Sequence, residues 1–411
     1  AYAGHQFGSF VPQLGDGRAI LLGEVKDKKG NLKDIHLKGS GKTPFSRSGD
    51  GRATLGPVLR EYIISEYMNS INIPTTRSLA AITTGEKVVR ERILPGAILV
   101  RIANSHIRVG TFQYFAARQM TKEIKILADY IIERHFKLSL SSKNIYEKFL
   151  MEIIKSQANL ISKWMSAGFI HGVMNTDNTC LSGETIDYGP CAFMDIFDYN
   201  KVFSSIDYQG RYSYKNQPNI ILWNLTRFAE TILPLIDNNL NKSIKKAEEI
   251  LNEFASIYES NWISIMGYKL GIDEANKTDK NLIEEFLTLM QNQQLDFTNS
   301  FRGLIKEVEN SNELISKTDT FKSWKNDWKK LIKNKGNQKE VCKTITSNNP
   351  AFIMRNHLVE QIIQELLTDK KDTLNKALEC IEKPFEKIKH YEKMYVGPTK
   401  EQEVLRTFCG T

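Results

Sequence analysis

Residues 171–189 read HGVMNTDNTCLSGETIDYG, and the spacing of their polar groups decides the fold class. Asp177 and Asn178 are adjacent, and Asp187 follows ten residues later in Asp187-Tyr188-Gly189. A carboxylate, an amide oxygen and a second carboxylate can hold Mg2+ through oxygen ligands and leave places for phosphate oxygens. In kinases a loop carboxylate accepts the acceptor hydroxyl's proton, while a loop Asn and the Asp of Asp-Phe-Gly hold the metal. Here Asp-Tyr-Gly stands in that place, Gly172 follows His171, and Asp177 and Asn178 are adjacent instead of five apart. The stretch is therefore kinase-like without being an ordinary protein-kinase loop. The plainer alternative is an Asn/Asp-rich turn capping a helix. His171 reads as structural rather than catalytic.

Working outward, Lys38 closes a short strand pattern in HLKGSGKTP. A strand-end lysine can serve a phosphate site as a mobile point charge. Glu61 lies on the next helix, at the border of an apolar face formed by Leu59, Ile63, Ile64, Tyr67 and Met68. A carboxylate at such a border needs a partner, because burying it unpaired is costly. A strand Lys paired with a helix Glu is the kinase device that holds nucleotide phosphates. Gly15-Asp16-Gly17-Arg18 recurs as Gly49-Asp50-Gly51-Arg52, the two copies expected to flank one strand. Glycines let backbone amides approach an anion, and Arg adds a forked donor; a tight turn between strands is the alternative. No Walker A pattern occurs. Arg101 and Arg108, in RIANSHIR, either clamp phosphates or form salt bridges with nearby acids, and the sequence favours neither.

The short apolar runs at 19–25, 34–38, 79–83, 87–91 and 97–102 read as strands, and 58–69 as a helix. Helical periodicity follows at 112–120, 124–136 and 146–167, then through most of the chain beyond 200. The expected fold is α+β and bilobal. It has a β-rich N-lobe (1–110), a helical C-lobe carrying the catalytic and metal-binding loop (111–235) and a helical C-terminal extension (236–411). Two unlike lobes leave a cleft between them, where ligands usually sit.

A chain of 411 residues suits two or three packed subdomains. The net charge of +8, spread over this length, is weak support for an anionic partner. No interleaved basic-aromatic patch points to nucleic acid. Five cysteines without CxxC spacing suggest neither a disulfide framework nor structural zinc. No run is long enough to span a bilayer and no leader pattern opens the chain, so no membrane is expected. Because the first residue is Ala1, the expectation is a fragment lacking its true N-terminus. The Lys/Asn/Ile-rich composition suggests a bacterial cytoplasm.

The strings YAGHQFGSFVPQLGDGRAILLGE, LKGSGKTPFSRSGDGRA, GFIHGVMNTDNT, TIDYGPCAFMD and GRYSYKNQP resemble the selenoprotein O family of protein adenylyltransferases. The likeness runs nearly end to end and is strongest through Pro218. It implies a protein-kinase-like fold that binds ATP in reversed orientation and moves AMP to Ser, Thr or Tyr hydroxyls of proteins. By the same resemblance Gly15, Gly17, Arg18, Lys38, Asp50, Gly51, Arg101, Arg108 and Asp187 contact the nucleotide, and Glu61 pairs with Lys38. Asp177 accepts the proton, and Asn178 and Asp187 bind Mg2+ or Mn2+. Family members commonly end in Cys or selenocysteine followed by two small residues. Here Cys409 precedes Gly410-Thr411, a tail with altered neighbours that the family links to redox regulation. UMP transfer with Mn2+, phosphotransfer and an inactive nucleotide-binding scaffold are the alternatives.

Overall fold

The computed structural model describes residues 1–309, 315–335 and 337–408. The chain opens on an antiparallel hairpin, β1 (Tyr2–Gln6) and β2 (Ser9–Leu14), which periodicity did not reveal. Phe7 and Gly8 make its turn at φ 51° and 89°, the left-handed backbone that a tight two-residue hairpin connection requires.

β3 (Ala19–Lys26), β4 (Leu32–Lys38), β5 (Ala53–Thr54), β6 (Arg77–Val89) and β7 (Ile93–Ala103) form one antiparallel sheet. β7 is its spine, pairing with β4 and β5 along one edge and β6 along the other. The runs 79–83 and 87–91, expected as separate strands, belong largely to one strand with an irregularity between Thr83 and Lys87. Two strands, β3 and β4, lie between the two Gly-Asp-Gly-Arg sequences, matching the runs at 19–25 and 34–38. The β4–β7 register sets His36 opposite Arg101 and Lys38 opposite Leu99. Side chains alternate along a strand, so His36, Lys38 and Arg101 share one face.

α1 (Leu55–Ser70) lies against β6 and β7. Val58, Leu59, Ile63, Ile64, Tyr67 and Met68 are buried at the spacing of one helical stripe. Pro57 is tolerated because the first turn has no intrahelical use for its N–H. Helices α2 (Val109–Ala116), α3 (Thr121–His135) and α4 (Ile145–Ala167) follow. α4 is the central helix: Phe149, Leu150, Ile153, Ile154, Leu160, Ile161 and Trp164 are buried along it. Gly168 ends it at φ 69°, where an added Cβ would stand 2.9 Å from the Phe297 ring. A two-strand ladder, β8 (Phe169–Ile170) and β9 (Ala192–Phe193), brackets the loop carrying Asp177 and Asp187.

α5 (Gln217–Ile236) and α6 (Leu240–Lys269) pack on α4. They are followed by α7 (Lys280–Gln293), α8 (Phe297–Val308), α9 (Asp319–Lys335), α10 (Gln338–Asn348), α11 (Asn356–Leu366) and α12 (Asp372–Glu382). Stacked Phe286, Trp324 and Trp328, with ring centroids 4.4 and 5.6 Å apart, weld α7 to α9. The stretch expected as an extension reaches back to α1. Arg60 donates to Asn356 Oδ1 (2.8 Å) and pairs with Glu360, and the Tyr67 hydroxyl donates to the Phe352 carbonyl (2.7 Å). Among the described residues no helix is long and apolar enough to cross a membrane.

Candidate active site

Lys38 ends β4 beneath α1, and its Nζ lies 2.7 Å from Glu61 Oε2. Lys38 also pairs with Asp187. Glu61 takes a second cation: Arg101 donates through Nε to Oε1 (2.7 Å) and through Nη2, which itself stands 3.7 Å from Asp187 Oδ1. Lys38, Arg101, Glu61 and Asp187 thus form a balanced set of two cations and two anions. Burial pushes the Glu61 carboxyl up, but Arg101 and Lys38 outweigh it and hold the group below its ordinary range. Asp187 behaves alike: burial opposes its charge, while Lys38 and Arg101 hold the carboxyl well below the usual range. Buried ion pairs recover little beyond their desolvation cost, so this cluster is better explained by chemistry than by stability. Asp187 also sits at φ 67°, a conformation costing a non-glycine residue about 1 kcal/mol or more.

A second cluster lies beside the first. The Asp16 carboxylate accepts from Tyr2 Oη (3.2 Å) and Arg108 Nη2 (3.1 Å), and faces His36 Nε2 at 3.3 Å. Burial pushes the Asp16 carboxyl up, yet Arg108 and His36 keep it well below its ordinary value. The Arg108 guanidinium stacks 4.7 Å over the Tyr2 ring. Its Nε has no partner among the described residues.

The loop after β8 carries Asp177 on a single 3-10 turn, Thr176–Asn178. The Asp177 side chain is buried, and burial pushes its carboxyl up to about 6. Oδ2 accepts from Gln6 Nε2 (3.3 Å), whereas Oδ1 has no partner among the described residues. Asn178 donates Nδ2 to the Val173 carbonyl (3.1 Å), which leaves its amide oxygen as the acceptor. The Asp187 contacts with Lys38 and Arg101 both fall on Oδ1, which leaves Oδ2. The Asn178 and Asp187 oxygens suit a hard divalent cation that takes its remaining ligands from phosphates and water.

These residues line one cavity of about 440 Å3. It gathers Gly17, Arg18, Lys38, Arg101, Arg108, Asp177, Asn178 and Asp187, with Glu61 behind Lys38. Gly15, Asp50 and Gly51 are not in its lining. A Cβ on Gly15 would stand 2.2 Å from the Phe45 ring, so that position is governed by packing. Asp50 is held by both Arg90 Nη atoms at 2.9 Å. Arg101 and Arg108 are salt-bridged and also line the cavity, so the two uses left open by the sequence coexist. His171 is buried away from it, facing the Ile186 carbonyl through Nε2 (2.9 Å) and stacked on Trp164. A larger hollow of about 690 Å3, around Arg302, Lys306 and Lys387, also holds Asp296 and Asn299, but both Asp296 oxygens are engaged there, by Arg355 (2.8 Å) and by the Asn299 N–H (2.7 Å).

Sequence reasoning missed Tyr2, Gln6, Phe7, Asp16, Asn175 and Ile206, which also line the cavity. The Phe-Gly pair between two short alternating runs was the available signal for the hairpin. Cys409 lies outside the described residues. Cys180, Cys191, Cys342 and Cys380 are unbridged, and burial pushes the Cys180 and Cys191 thiols up to about 12, which makes them poor nucleophiles.

Cations converging on one cavity, opposite a buried carboxylate with a free oxygen, are the equipment of a nucleotide-using transferase. A family model described as "Protein adenylyltransferase SelO" matches residues 1–383. Relatives named "Protein nucleotidyltransferase YdiU" from Clostridium perfringens (strain SM101 / Type A) and Rhodopseudomonas palustris (strain BisB18) are 50% and 49% identical to this chain. Each alignment covers 100% of this chain, and 84% and 85% of the respective relative. The chain belongs to the SelO family and is a nucleotidyltransferase.

Proposed function

We propose that this enzyme transfers AMP from ATP to Ser, Thr or Tyr hydroxyls of proteins, with ATP reversed in a kinase-like cleft. The sheet with α1 forms one lobe of that cleft, and the helices around α4 form the other. The observation that carries the reading is the placement of Arg18, Lys38, Arg101 and Arg108 around one cavity with Asp177. Four cations exceed what a single terminal phosphate needs. They suit a triphosphate whose β- and γ-phosphates lie deep while the α-phosphate meets the acceptor.

Asp177 takes the proton of the acceptor hydroxyl, as its raised pKa of about 6 suits a base working near neutrality. The hydroxyl oxygen forms a bond to the α-phosphorus, the α–β bridging bond breaks, and pyrophosphate leaves with the bridging electron pair. Lys38 and Arg101, held by Glu61, and Arg18 and Arg108 offset the charge building on the phosphates. Asn178 Oδ1 and Asp187 Oδ2 would hold Mg2+ or Mn2+, which supplies further charge neutralisation when bound. Both relatives' names, "Protein nucleotidyltransferase", support a protein acceptor without specifying the nucleotide, so UMP transfer from UTP with Mn2+ is the second reading.

The test incubates the protein with a protein acceptor and ATP labelled at either the α- or the γ-phosphate, with Mg2+. Protein label from the α-position alone is expected. Label from the γ-position alone overturns AMP transfer in favour of phosphotransfer. Parallel α-labelled UTP with Mn2+ separates the second reading.

A further inference from the structure

We infer that Gln6, the last residue of β1, is a positioning residue for Asp177: its amide anchors one carboxylate oxygen and so fixes the orientation of the side chain at the cavity. The inference rests on the reading of Asp177 as proton acceptor. Its geometric basis is the unequal treatment of the two oxygens. Oδ2 accepts from Gln6 Nε2 at 3.3 Å, while Oδ1 is buried and has no partner among the described residues. Such an oxygen loses water without regaining a hydrogen bond, a cost that native proteins accept chiefly where the group is used.

Gln6 can anchor because β1 is itself clamped to the loop. His5 N–H donates to Thr176 Oγ1 (2.7 Å) and Phe7 N–H donates to Asn175 Oδ1 (3.1 Å), on either side of Gln6. Close approach fixes the strand from below. A Cβ on Gly110 would stand 2.2 Å from the Ala3 carbonyl oxygen, and one on Gly4 would stand 3.0 Å from Thr176 Oγ1. The absence of a side chain at Gly4 also lets β1 lie close against the carboxylate, since a Cβ there would stand 3.1 Å from Asp177 Oδ1.

The choice of an amide is chemically specific. A Lys or Arg at position 6 would hold Oδ2 through an ion pair and drain basicity from the carboxylate. A neutral N–H donor orients the group and leaves its charge for the proton transfer. Alignment of a reacting group is worth far more than the strength of the bond that holds it.

The experiment measures kcat, KM for ATP, ATP affinity without turnover, and Tm for Gln6→Met, Gln6→Glu, Asp177→Asn and Gln6→Met/Asp177→Asn. Gln6→Met keeps the shape and removes the donor. It is expected to lower kcat about tenfold, with KM for ATP and ATP affinity within about twofold. Gln6→Glu sets a like charge beside Asp177 and is expected to lower kcat further. Over the Asp177→Asn background, Gln6→Met is expected to add less than about a twofold loss, because a residue acting through another has no effect once that one is gone. An equal loss in both backgrounds, a loss confined to ATP affinity, or an unchanged kcat in Gln6→Met overturns the positioning role. If Gln6→Met lowers Tm sharply, Gln6→Glu, with Tm near wild type, carries the comparison, and unchanged kcat there overturns the role equally. Wild-type kcat in Asp177→Asn overturns the base assignment and the inference together, an outcome distinct from the other three.

Discussion

In the first Gly-Asp-Gly-Arg, residues 15–18, the Asp16 carboxylate is wedged among Arg108, His36 and Tyr2, and Arg18 lines the cavity. In the second, residues 49–52, Asp50 faces Arg90, and Arg52 pairs with Glu86 at 2.7 Å, all four side chains in reach of solvent. Both aspartates are held ionised: Asp16 by Arg108 and His36 against the opposing pull of burial, Asp50 down to about 2 by its hydrogen bonds from Arg90 and the Arg52 N–H. The consequences differ. A partly exposed pair such as Asp50–Arg90 is screened and contributes little, whereas Asp16 compensates a buried guanidinium. The second loop has its own role. Gly51 N–H and carbonyl belong to a loop closed by Gly41 N–H donating to the Gly51 carbonyl (3.1 Å), with Gly51 at φ 70°. One tetrapeptide thus lines the cavity and its duplicate closes a loop, because the neighbours that each meets are supplied by other parts of the chain.

The contrast can be broken most forcefully at the glycines. A Cβ on Gly51 would stand 2.0 Å from the Gly41 carbonyl oxygen, backbone that cannot swing aside. Gly51→Ala is expected to cost about 3 kcal/mol of stability, read as a fall in Tm. The corresponding Cβ on Gly17 would stand 3.0 Å from the Phe45 carbonyl oxygen, without a left-handed φ, and Gly17→Ala is expected to cost about 1 kcal/mol. Equal falls in Tm would erase the distinction.

The aspartates come next. Asp16→Asn leaves the Arg108 guanidinium, buried in the protein, short of its counter-charge, and is expected to lower kcat/KM roughly thirtyfold, about 2 kcal/mol. Asp50→Asn is expected to stay within about twofold in the same assay. A loss at Asp50 matching that at Asp16 would mean that both loops reach the nucleotide.

The smallest effect is in pH. The folded carboxyl of Asp50 lies at about 2, below its ordinary 3.8. A depressed pKa contributes stability above the unfolded value and loses it as pH falls through the folded one. Discounted for solvent screening, the gap between wild type and Asp50→Asn is expected to be under about 0.5 kcal/mol at neutral pH. It is expected to close between about pH 4 and pH 2, and to shrink in high salt. Thermal melts across that range check it, and a gap that persists at pH 2 would refute the assignment of the effect to this pair.

Several features were legible in the residues alone. Strands β3, β4 and β7 and helices α1 and α4 follow from the spacing of apolar residues over a few turns or pleats, a local property. The Lys38–Glu61 pair was legible because a carboxylate at the border of a buried stripe demands a cation, and the nearest strand end offers one. Asp177, Asn178 and Asp187 stood out as adjacent oxygen donors near a second carboxylate, and the fold brings all three to one cavity. Arg101 could be narrowed only to two uses. The β4–β7 register reconciled them by placing it within reach of Glu61 and Asp187 while it also lines the cavity.

What the sequence by itself determined is therefore the local periodicity, the chemistry of its polar clusters and, through long specific strings, the family. Only the tertiary structure decided which Gly-Asp-Gly-Arg faces the cavity, that α11 braces α1, and that Gln6 meets Asp177. These contacts join residues 171 positions apart for Gln6 and Asp177, and 300 for Arg60 and Glu360. No periodicity encodes such a meeting. It follows from where strands and helices come to rest when their apolar faces are buried together, and Asp177 acquires its free, buried oxygen only there.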